Sequence, residues 1–140
     1  MVDDDEEDVY LTKRAFCLHQ DGLVFNSVSS GTKMFDYLYC RGEYESNEPL
    51  THQPDVILLD INIPKEAGFK VLEKLRSDER FSTLPVSMLT TSSATHDIEK
   101  AYRLGANSYI CKSVSKQGME EVANQFCEYW FRFAKLPVAA

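Results

Sequence analysis

Three carboxylates, one hydroxyl and one ammonium are the side chains of this sequence whose types and positions best suit joint chemistry. Asp3, Asp4 and Asp60 lie at the ends of apolar segments, and so do Thr90 and Lys112. Carboxylate oxygens suit a hard divalent cation such as Mg²⁺. A hydroxyl and an ammonium can hold phosphoryl oxygens by hydrogen bonds. Placed together, these residues could bind a metal ion and a phosphoryl group.

These side chains can meet only if the segments before them are strands of one parallel sheet. Residues 56–59 are four consecutive apolar residues, which is typical of a strand covered on both faces. Residues 23–28, 86–89 and 108–111 predict further strands, and Val2 belongs to a short first one. Strands that alternate with helices predict a doubly wound α/β fold, whose chemistry lies at the carboxyl ends of the strands.

Apolar residues at helical spacing predict five helices between and after these strands. The predicted helices span residues 5–19, 34–41, 69–77, 98–104 and 115 onward. Acidic residues favour the positive end of a helix, so we expect residues 5–8 to cap the first helix and otherwise to stay at the surface. Gly105 is expected to end the fourth helix. Residues 42–53 form a long polar loop.

Composition favours one acidic, globular unit. The chain has 140 residues, a formal net charge of -7 and a pI of about 4.9. This charge repels nucleic acids and anionic membranes, and the longest apolar run is far too short to cross a bilayer. We therefore expect a cytoplasmic protein with a single domain over residues 1–140, in which residues 115–137 form a long C-terminal helix and tail.

The four cysteines are widely spaced, and no CxxC pair is present. Their spacing therefore encodes neither a metal cluster nor a disulfide framework, which fits reduced thiols in a cytoplasm. We expect Cys111 and Cys127 to be small core residues.

Four motifs, taken together, resemble the receiver domain of two-component response regulators. They are Val2-Asp3-Asp4, residues 59–64 followed by Gly68, Leu89-Thr90-Thr91, and Tyr109-Ile110-Cys111-Lys112. The resemblance covers essentially the whole chain. It implies a flavodoxin-like fold, in which five parallel strands have the order 2-1-3-4-5 and helices cover both faces.

The resemblance also implies a phosphorylation switch. Asp60 would accept a phosphoryl group from a partner sensor histidine kinase or phosphotransfer protein, as in a phosphorelay. Mg²⁺ would be held by Asp4, Asp60 and the main-chain carbonyl of Asn62, with Asp3 acting mostly through metal-bound water. Catalysis would be limited to the domain's own phosphorylation and dephosphorylation.

The same resemblance assigns roles to residues around the phosphoryl group. Lys112 would pair with one phosphoryl oxygen, and the Thr90 hydroxyl would donate a hydrogen bond to another. Tyr109 would then turn inward, into the space that Thr90 leaves. The signal would leave through the face formed by the fourth helix, the fifth strand and the fifth helix.

Two features depart from the family pattern. Only Met1 and Val2 precede the acidic pair, so we expect a very short first strand and a shortened N-terminus. Ser113 stands where the family usually has proline. A cis bond before serine would cost about 3 kcal/mol, so the Lys112–Ser113 bond is either trans or strained.

The loop at residues 42–53, the Lys112-Ser113 pair and the aromatic tail are similar to single-domain regulators that pair with phytochrome-type sensor kinases. The tail aromatics cannot all face one core from one helix. They are Tyr129, Trp130, Phe131 and Phe133. Two outcomes remain open: a homodimer interface, or a tail that folds back onto its own domain.

Other functions fit the sequence less well. A receiver-like interaction module that is never phosphorylated remains the main alternative. Phosphatases with a strand-end aspartate nucleophile need an acid two residues later, where this chain has Asn62. A flavodoxin-type electron carrier needs a phosphate-binding loop after the first strand, where this chain is acidic.

Overall fold

The computed structural model describes residues 1–45, 53–64 and 67–137 of the chain. The predicted polar loop therefore lies mostly outside the described residues. Its first part is a 3₁₀ turn at Gly42–Tyr44.

Five α-helices are present in the described part of the chain, close to the predicted positions. They are α1 (Glu6–His19), α2 (Gly31–Leu38), α3 (Gly68–Ser77), α4 (Thr95–Arg103) and α5 (Lys116–Cys127). Side-chain caps explain several starts: the carboxylate of Asp5 accepts hydrogen bonds from two main-chain N–H groups of α1, and Ser115 caps α5 in the same way. Gly105, at a φ of +105°, follows the end of α4 as predicted.

Three strands form a parallel sheet in the order β1 (Ile57–Leu59), β2 (Val86–Thr90), β3 (Ser108–Cys111). Val2 extends this sheet, because it forms parallel bridges with both Leu59 and Val28. Across the sheet, the segments therefore follow the order Val28, Val2, β1, β2, β3. This is the predicted 2-1-3-4-5 order, with single bridges at the first two positions.

The prediction of a strand over residues 23–28 was wrong in extent, since only Val28 forms a bridge. Val28 donates its N–H to the Met1 carbonyl at 3.0 Å and accepts from the Asp3 N–H at 3.0 Å. Among the described residues, the segment at residues 23–28 forms backbone hydrogen bonds only with residues 1–3. Its pairing in the sheet is therefore a single bridge at Val28. The first strand is correspondingly short, as predicted.

Helices cover both faces of the sheet. On one face Ile57, Leu59 and Met88 pack in a core cluster with residues of α2, α3 and α4. On the other face Leu58 and Leu89 pack with residues of α1 and α5. Successive strand residues point to opposite faces, so an uninterrupted apolar strand supplies both clusters. In the described part of the chain, no helix is long and apolar enough to cross a membrane.

The two cysteines that we expected in the core, Cys111 and Cys127, differ in their exposure to solvent. Cys127 is fully buried against α1, as predicted, but Cys111 is exposed. Cys111 is the last residue of β3, which is an edge strand of the sheet. An edge strand is covered less completely than a central one, and β2 is buried along its whole length whereas no residue of β3 is.

Candidate functional site

The carboxyl ends of the strands bring four of the predicted residues to one edge of the sheet. Asp3 follows the Val2 bridge, Asp60 follows β1, Thr90 ends β2 and Lys112 follows β3. The N–H of Lys112 donates to the Thr90 carbonyl at 2.7 Å, which fixes the chain where it leaves β3. Parallel strands therefore achieve the convergence that the sequence predicted.

The Lys112 ammonium lies at the centre of this cluster. Its Nζ atom is 2.7 Å from Asp3 Oδ2, 2.9 Å from Asp8 Oδ2 and 2.9 Å from Asp60 Oδ2. The Lys112 side chain is only 7% exposed, so these contacts are poorly screened by water. Three carboxylates surround one ammonium, which leaves a formal excess of two negative charges.

The electrostatics of the site are dominated by this imbalance. Burial lowers the pKa of Lys112, but the close contacts of the ammonium with the carboxylates of Asp3, Asp60 and Asp8 outweigh this effect, and the pKa is raised above the usual value. Burial also raises the pKa of Asp3, which Lys112 only partly offsets. The ammonium is therefore firmly charged, while burial disfavours the ionised form of Asp3 despite its contacts with Lys112 and the Asp5 N–H.

Asp3 is the most buried acid of the cluster. Its Oδ1 atom accepts the N–H of Asp5 at 2.9 Å. Its Oδ2 atom is close to Lys112 but poorly aligned for a hydrogen bond, and no described residue donates one to it. A buried carboxylate oxygen without a hydrogen bond is costly, so this oxygen is suited to a cation.

Two acids differ from the predictions. Asp8 was expected to stay at the surface of α1, but it is a direct partner of Lys112. Asp4 is exposed, and no hydrogen bond or ion pair joins it to another described residue. α1 begins at Glu6, only four residues after Val2, so the first helical turn, rather than Asp4, points a carboxylate at the cluster. A helix that begins within a few residues of a strand end was the available signal for Asp8.

The loop after Asp60 is held close to α3. The Gly68 N–H donates to the Ile61 carbonyl at 2.6 Å. A Cβ atom at position 68 would lie 2.1 Å from the Asp60 carbonyl oxygen, so glycine is required for this close approach. Asn62 is exposed, and its N–H lies 3.4 Å from Asp60 Oδ1. The loop thus places the main-chain N–H of Asn62 beside the buried acid.

Thr90 and Tyr109 lie beside the cluster but do not contact Lys112 through their side chains. Thr90 is fully buried, and its hydroxyl has no hydrogen-bond partner among the described residues. Tyr109 is half-buried, and its hydroxyl donates to the Ser92 carbonyl at 2.9 Å. A buried hydroxyl without a partner indicates a position that a ligand oxygen can satisfy.

The serine that departs from the family pattern leaves the backbone regular. The Lys112–Ser113 peptide bond is trans, like the other peptide bonds of the described residues. Ser113 Oγ accepts the Ser115 N–H at 3.2 Å, next to the start of α5. A Cβ atom at Gly118 would lie 1.9 Å from Ser113 Oγ, so this serine packs against the first turn of α5.

The donor chemistry of the cluster fits a divalent cation. Among the described residues, no group of three or more His, Cys, Asp or Glu side chains is arranged as a metal site. The carboxylates of Asp3 and Asp60 instead contact the Lys112 ammonium, which supplies the positive charge at the centre of the cluster. The oxygen-only donors and the unsatisfied Asp3 oxygen nevertheless suit a hard metal ion.

A family model for the response regulator receiver domain matches residues 1–124. This chain belongs to that family. Receiver domains are signalling switches of two-component systems, and they are generally not enzymes with a separate substrate. The fold and the strand-end position of Asp60 in this receiver domain agree with the resemblance inferred from the motifs.

Relatives with similar sequences include phytochrome-associated regulators. Response regulator Rcp1 of Synechocystis sp. is 33% identical over 109 residues, which are 78% of this chain and 71% of Rcp1. The phosphorylated cyanobacterial phytochrome response regulator RcpA has a solved structure with a TM-score of 0.87 at 33% identity, covering 97% of this chain and 94% of that chain. The Mn²⁺-bound form of Rcp1 has a TM-score of 0.81 at 28% identity, covering 97% and 95%.

A further relative is a longer protein. The probable methanogenesis regulatory protein FilR2 of Methanothrix harundinacea is 34% identical over 84 residues, which are 60% of this chain. The match spans 54% of FilR2, so this receiver domain corresponds to about half the length of that relative.

Proposed function

We propose that this receiver domain is a phosphorylation-dependent switch whose phosphoryl acceptor is Asp60. One observation carries the proposal: the buried Asp60 carboxylate and the Lys112 ammonium are 2.9 Å apart at the strand ends, beside the Thr90 hydroxyl, which has no hydrogen-bond partner in the described part of the chain. A nucleophile, a cation and a hydroxyl donor at this spacing are the parts that phosphoryl transfer needs. The family match and the phosphorylated state of RcpA support the same function.

In the transfer step, a carboxylate oxygen of Asp60 attacks the phosphorus atom of a phosphohistidine. The new P–O bond forms as the P–N bond breaks, and the electron pair leaves with the imidazole nitrogen. Lys112 lies close enough to Asp60 to pair with an oxygen of the transferred group. The Thr90 hydroxyl donates a hydrogen bond to another oxygen, which gives this buried group its partner.

Asp3, Asp4, Asp60 and the main-chain carbonyl of Asn62 are the residues that would hold Mg²⁺. When bound, Mg²⁺ would supply positive charge to neutralise the carboxylates and the incoming phosphoryl oxygens. The Mn²⁺-bound state of Rcp1 supports a divalent cation at such a site. Asp4 is exposed here, so its carboxylate would have to turn toward the cluster, whereas Asp3 and Asp60 already line it.

The switch itself would act through Thr90 and Tyr109. Drawing the Thr90 hydroxyl toward a phosphoryl oxygen would open space beside it, and the Tyr109 ring would move inward. That movement would break the hydrogen bond from the Tyr109 hydroxyl to the Ser92 carbonyl. The surface formed by α4, β3 and α5 would thereby change shape, because the phosphoryl contacts exist in only one of the two states.

The partner that supplies the phosphoryl group would be a sensor histidine kinase or a phosphotransfer protein. The phytochrome association of RcpA supports a phytochrome-like kinase. Working in the cytoplasm, residues 1–140 would act as one receiver domain that also hydrolyses its own phosphoaspartate. Nucleic acid and membrane are not proposed as partners, since the chain is strongly acidic.

The C-terminal aromatics would make a homodimer contact. A π-helical turn at Glu128–Phe133 continues α5, and its aromatics divide into two pairs. Trp130 and Phe131 pack back onto the core cluster of α1 and α5, while Tyr129 is 53% and Phe133 80% exposed. The exposed pair is the surface that a second copy would cover. Sedimentation that shows only monomer at micromolar concentration, with and without phosphorylation, would reject the dimer.

The test of the proposed function is intact-protein mass after incubation with acetyl phosphate and Mg²⁺. The wild type should gain one phosphoryl group, and the gain should vanish in Asp60→Asn and in EDTA. Asp55→Asn removes the same charge from an exposed position near β1 and should behave like the wild type. A folded wild type that binds Mg²⁺ and gains no mass would instead be a receiver-like interaction module.

A further inference from the structure

Asp8 differs from the other two carboxylates that contact Lys112. Asp3 and Asp60 end segments of the sheet, whereas Asp8 lies in the first turn of α1. Its side chain is 33% exposed, while those of Asp3 and Asp60 are buried. Lys112 Nζ donates hydrogen bonds to both Asp8 and Asp60 at 2.9 Å. The ammonium therefore bridges the outer acid of a helix and the buried acid of the sheet.

The backbone of Asp8 is anchored on both sides. Its N–H donates to the capping carboxylate of Asp5 at 3.1 Å. Its carbonyl accepts a hydrogen bond from the hydroxyl of the buried Thr12 at 2.6 Å. These bonds hold the first turn of α1 in place, so the direction of the Asp8 carboxylate is set by the packed helix.

We infer that Asp8 is a positioning residue that holds the Lys112 ammonium beside Asp60 when a divalent cation and a phosphoryl group occupy the site. The inference rests on the proposed function. A divalent cation held by Asp3 and Asp60 would repel the ammonium from the place it now occupies. Of the three carboxylates that contact Lys112, Asp8 is the one that is not a proposed metal ligand. Asp8 is thus the partner that Lys112 can keep in both states.

This role predicts a defined change in Asp8→Asn. With Mg²⁺ held by Asp3, the contact between Asp8 and Lys112 would contribute more than it does now, so the substitution should weaken Mg²⁺ binding about fivefold, as expected for a partly exposed ion pair. The rate of phosphorylation at saturating acetyl phosphate should fall by a similar factor. Asp8→Glu keeps the carboxylate and should recover most of both.

Glu7→Gln is the matched control. Glu7 lies one residue earlier in the same helical turn, is exposed, and does not contact Lys112 among the described residues. The Glu7→Gln substitution removes the same formal charge near the same site, so it measures the general effect of lost negative charge on Mg²⁺ affinity. Only the loss beyond that of Glu7→Gln counts as positioning.

The experiment measures Mg²⁺ affinity by calorimetry and the phosphorylation rate by intact mass over a range of acetyl phosphate concentrations. Unfolding midpoints in EDTA show that each variant is folded. A larger loss in Asp8→Asn than in Glu7→Gln, recovered by Asp8→Glu, supports the inference. Equal losses in Asp8→Asn and Glu7→Gln, or no recovery, would overturn it.

The same measurements separate the two claims. A wild type that binds Mg²⁺ but gains no phosphoryl group refutes the proposed function, and the Mg²⁺ affinities still judge the role of Asp8. A wild type that is phosphorylated, with Asp8→Asn indistinguishable from Glu7→Gln, refutes the role of Asp8 alone. A wild type that does not bind Mg²⁺ refutes both.

Discussion

Lys112, whose side chain is largely buried, and Arg76, which is half-buried, are two cations in opposite surroundings. Lys112 lies among three carboxylates, which raise its pKa. Arg76, in α3, has neutral partners: its guanidinium donates to the carbonyls of Gly105 at 2.9 Å and Leu84 at 2.7 Å, and to the Asn107 side-chain oxygen at 2.9 Å. Burial lowers the pKa of Arg76.

These surroundings suit the two cations to different roles. Arg76 joins parts of the fold, whereas Lys112 occupies a place that another cation could take. The planar guanidinium of Arg76 has fixed donor directions, and the loops before β2 and β3 supply acceptors for that one geometry. The compact ammonium of Lys112 is held by charge more than by direction, and its acidic partners would accept another cation. We therefore expect substitutions of Arg76 to affect stability and substitutions of Lys112 to affect the response to metal.

The largest effect on stability is expected for Arg76→Ala. The substitution leaves several loop carbonyls without the guanidinium donor and removes one of the two donors to the Asn107 side-chain oxygen, which should cost about 2 to 4 kcal/mol of the free energy of unfolding. Urea unfolding measures this loss, and Arg103→Ala, at an exposed residue of α4, is the control. Phosphorylation of the folded fraction should be unchanged. Slower phosphorylation with unchanged stability would show that Arg76 acts at the site and not in holding the loops.

An intermediate effect is expected for Lys112→Met. Without the ammonium, three carboxylates repel one another, so the free energy of unfolding in EDTA should fall by about 1 to 3 kcal/mol. Saturating Mg²⁺ should restore more stability to this variant than it adds to the wild type. Thermal unfolding with and without Mg²⁺ checks both. If Mg²⁺ stabilised the variant less than the wild type, the two cations would not compete for the same carboxylates.

The smallest effect on stability is expected for Asp3→Asn, which removes one of the carboxylates that contact Lys112. The pKa of Asp3 is raised by burial, so its ionised form favours the unfolded chain as the pH rises above the usual carboxylate range. The variant should therefore be more stable than the wild type at pH 7, by up to about 1 kcal/mol, with the advantage shrinking toward pH 4. Urea midpoints across this range measure it. If the extra stability of the variant grew as the pH fell, the pKa of Asp3 would be lowered and not raised by folding.

The fold and most of the site were predictable because they depend on local patterns. An apolar run with no polar face predicted β1, and the position just after it identified Asp60 as a strand-end acid. The same argument placed Thr90 and Lys112 at this edge. The carboxyl ends of parallel strands lie at the same edge of a sheet. Three local patterns were therefore sufficient to predict that these side chains come together.

Other features could not be predicted because they depend on contacts between distant segments. Lys112 and Asp8 are 104 residues apart, and their ion pair exists because α1 packs beside the end of β3. The wrong expectation for Cys111 has a similar origin, since its exposure follows from the edge position of β3. The limited ladder at residues 23–28 likewise reflects the partner strand and not its own composition.

The sequence alone was sufficient to locate the five helices and the three strands β1, β2 and β3, and to predict that Asp60, Thr90 and Lys112 come together. These outcomes follow from the spacing of apolar residues, which is a property of short segments. The tertiary structure alone decided that Asp8 enters the cluster and Asp4 stays outside, and that Arg76 joins the loops before β2 and β3. Each of these contacts depends on how helices pack on the sheet. Packing brings together residues that are far apart in the sequence, and no local pattern in the sequence indicates that they will meet.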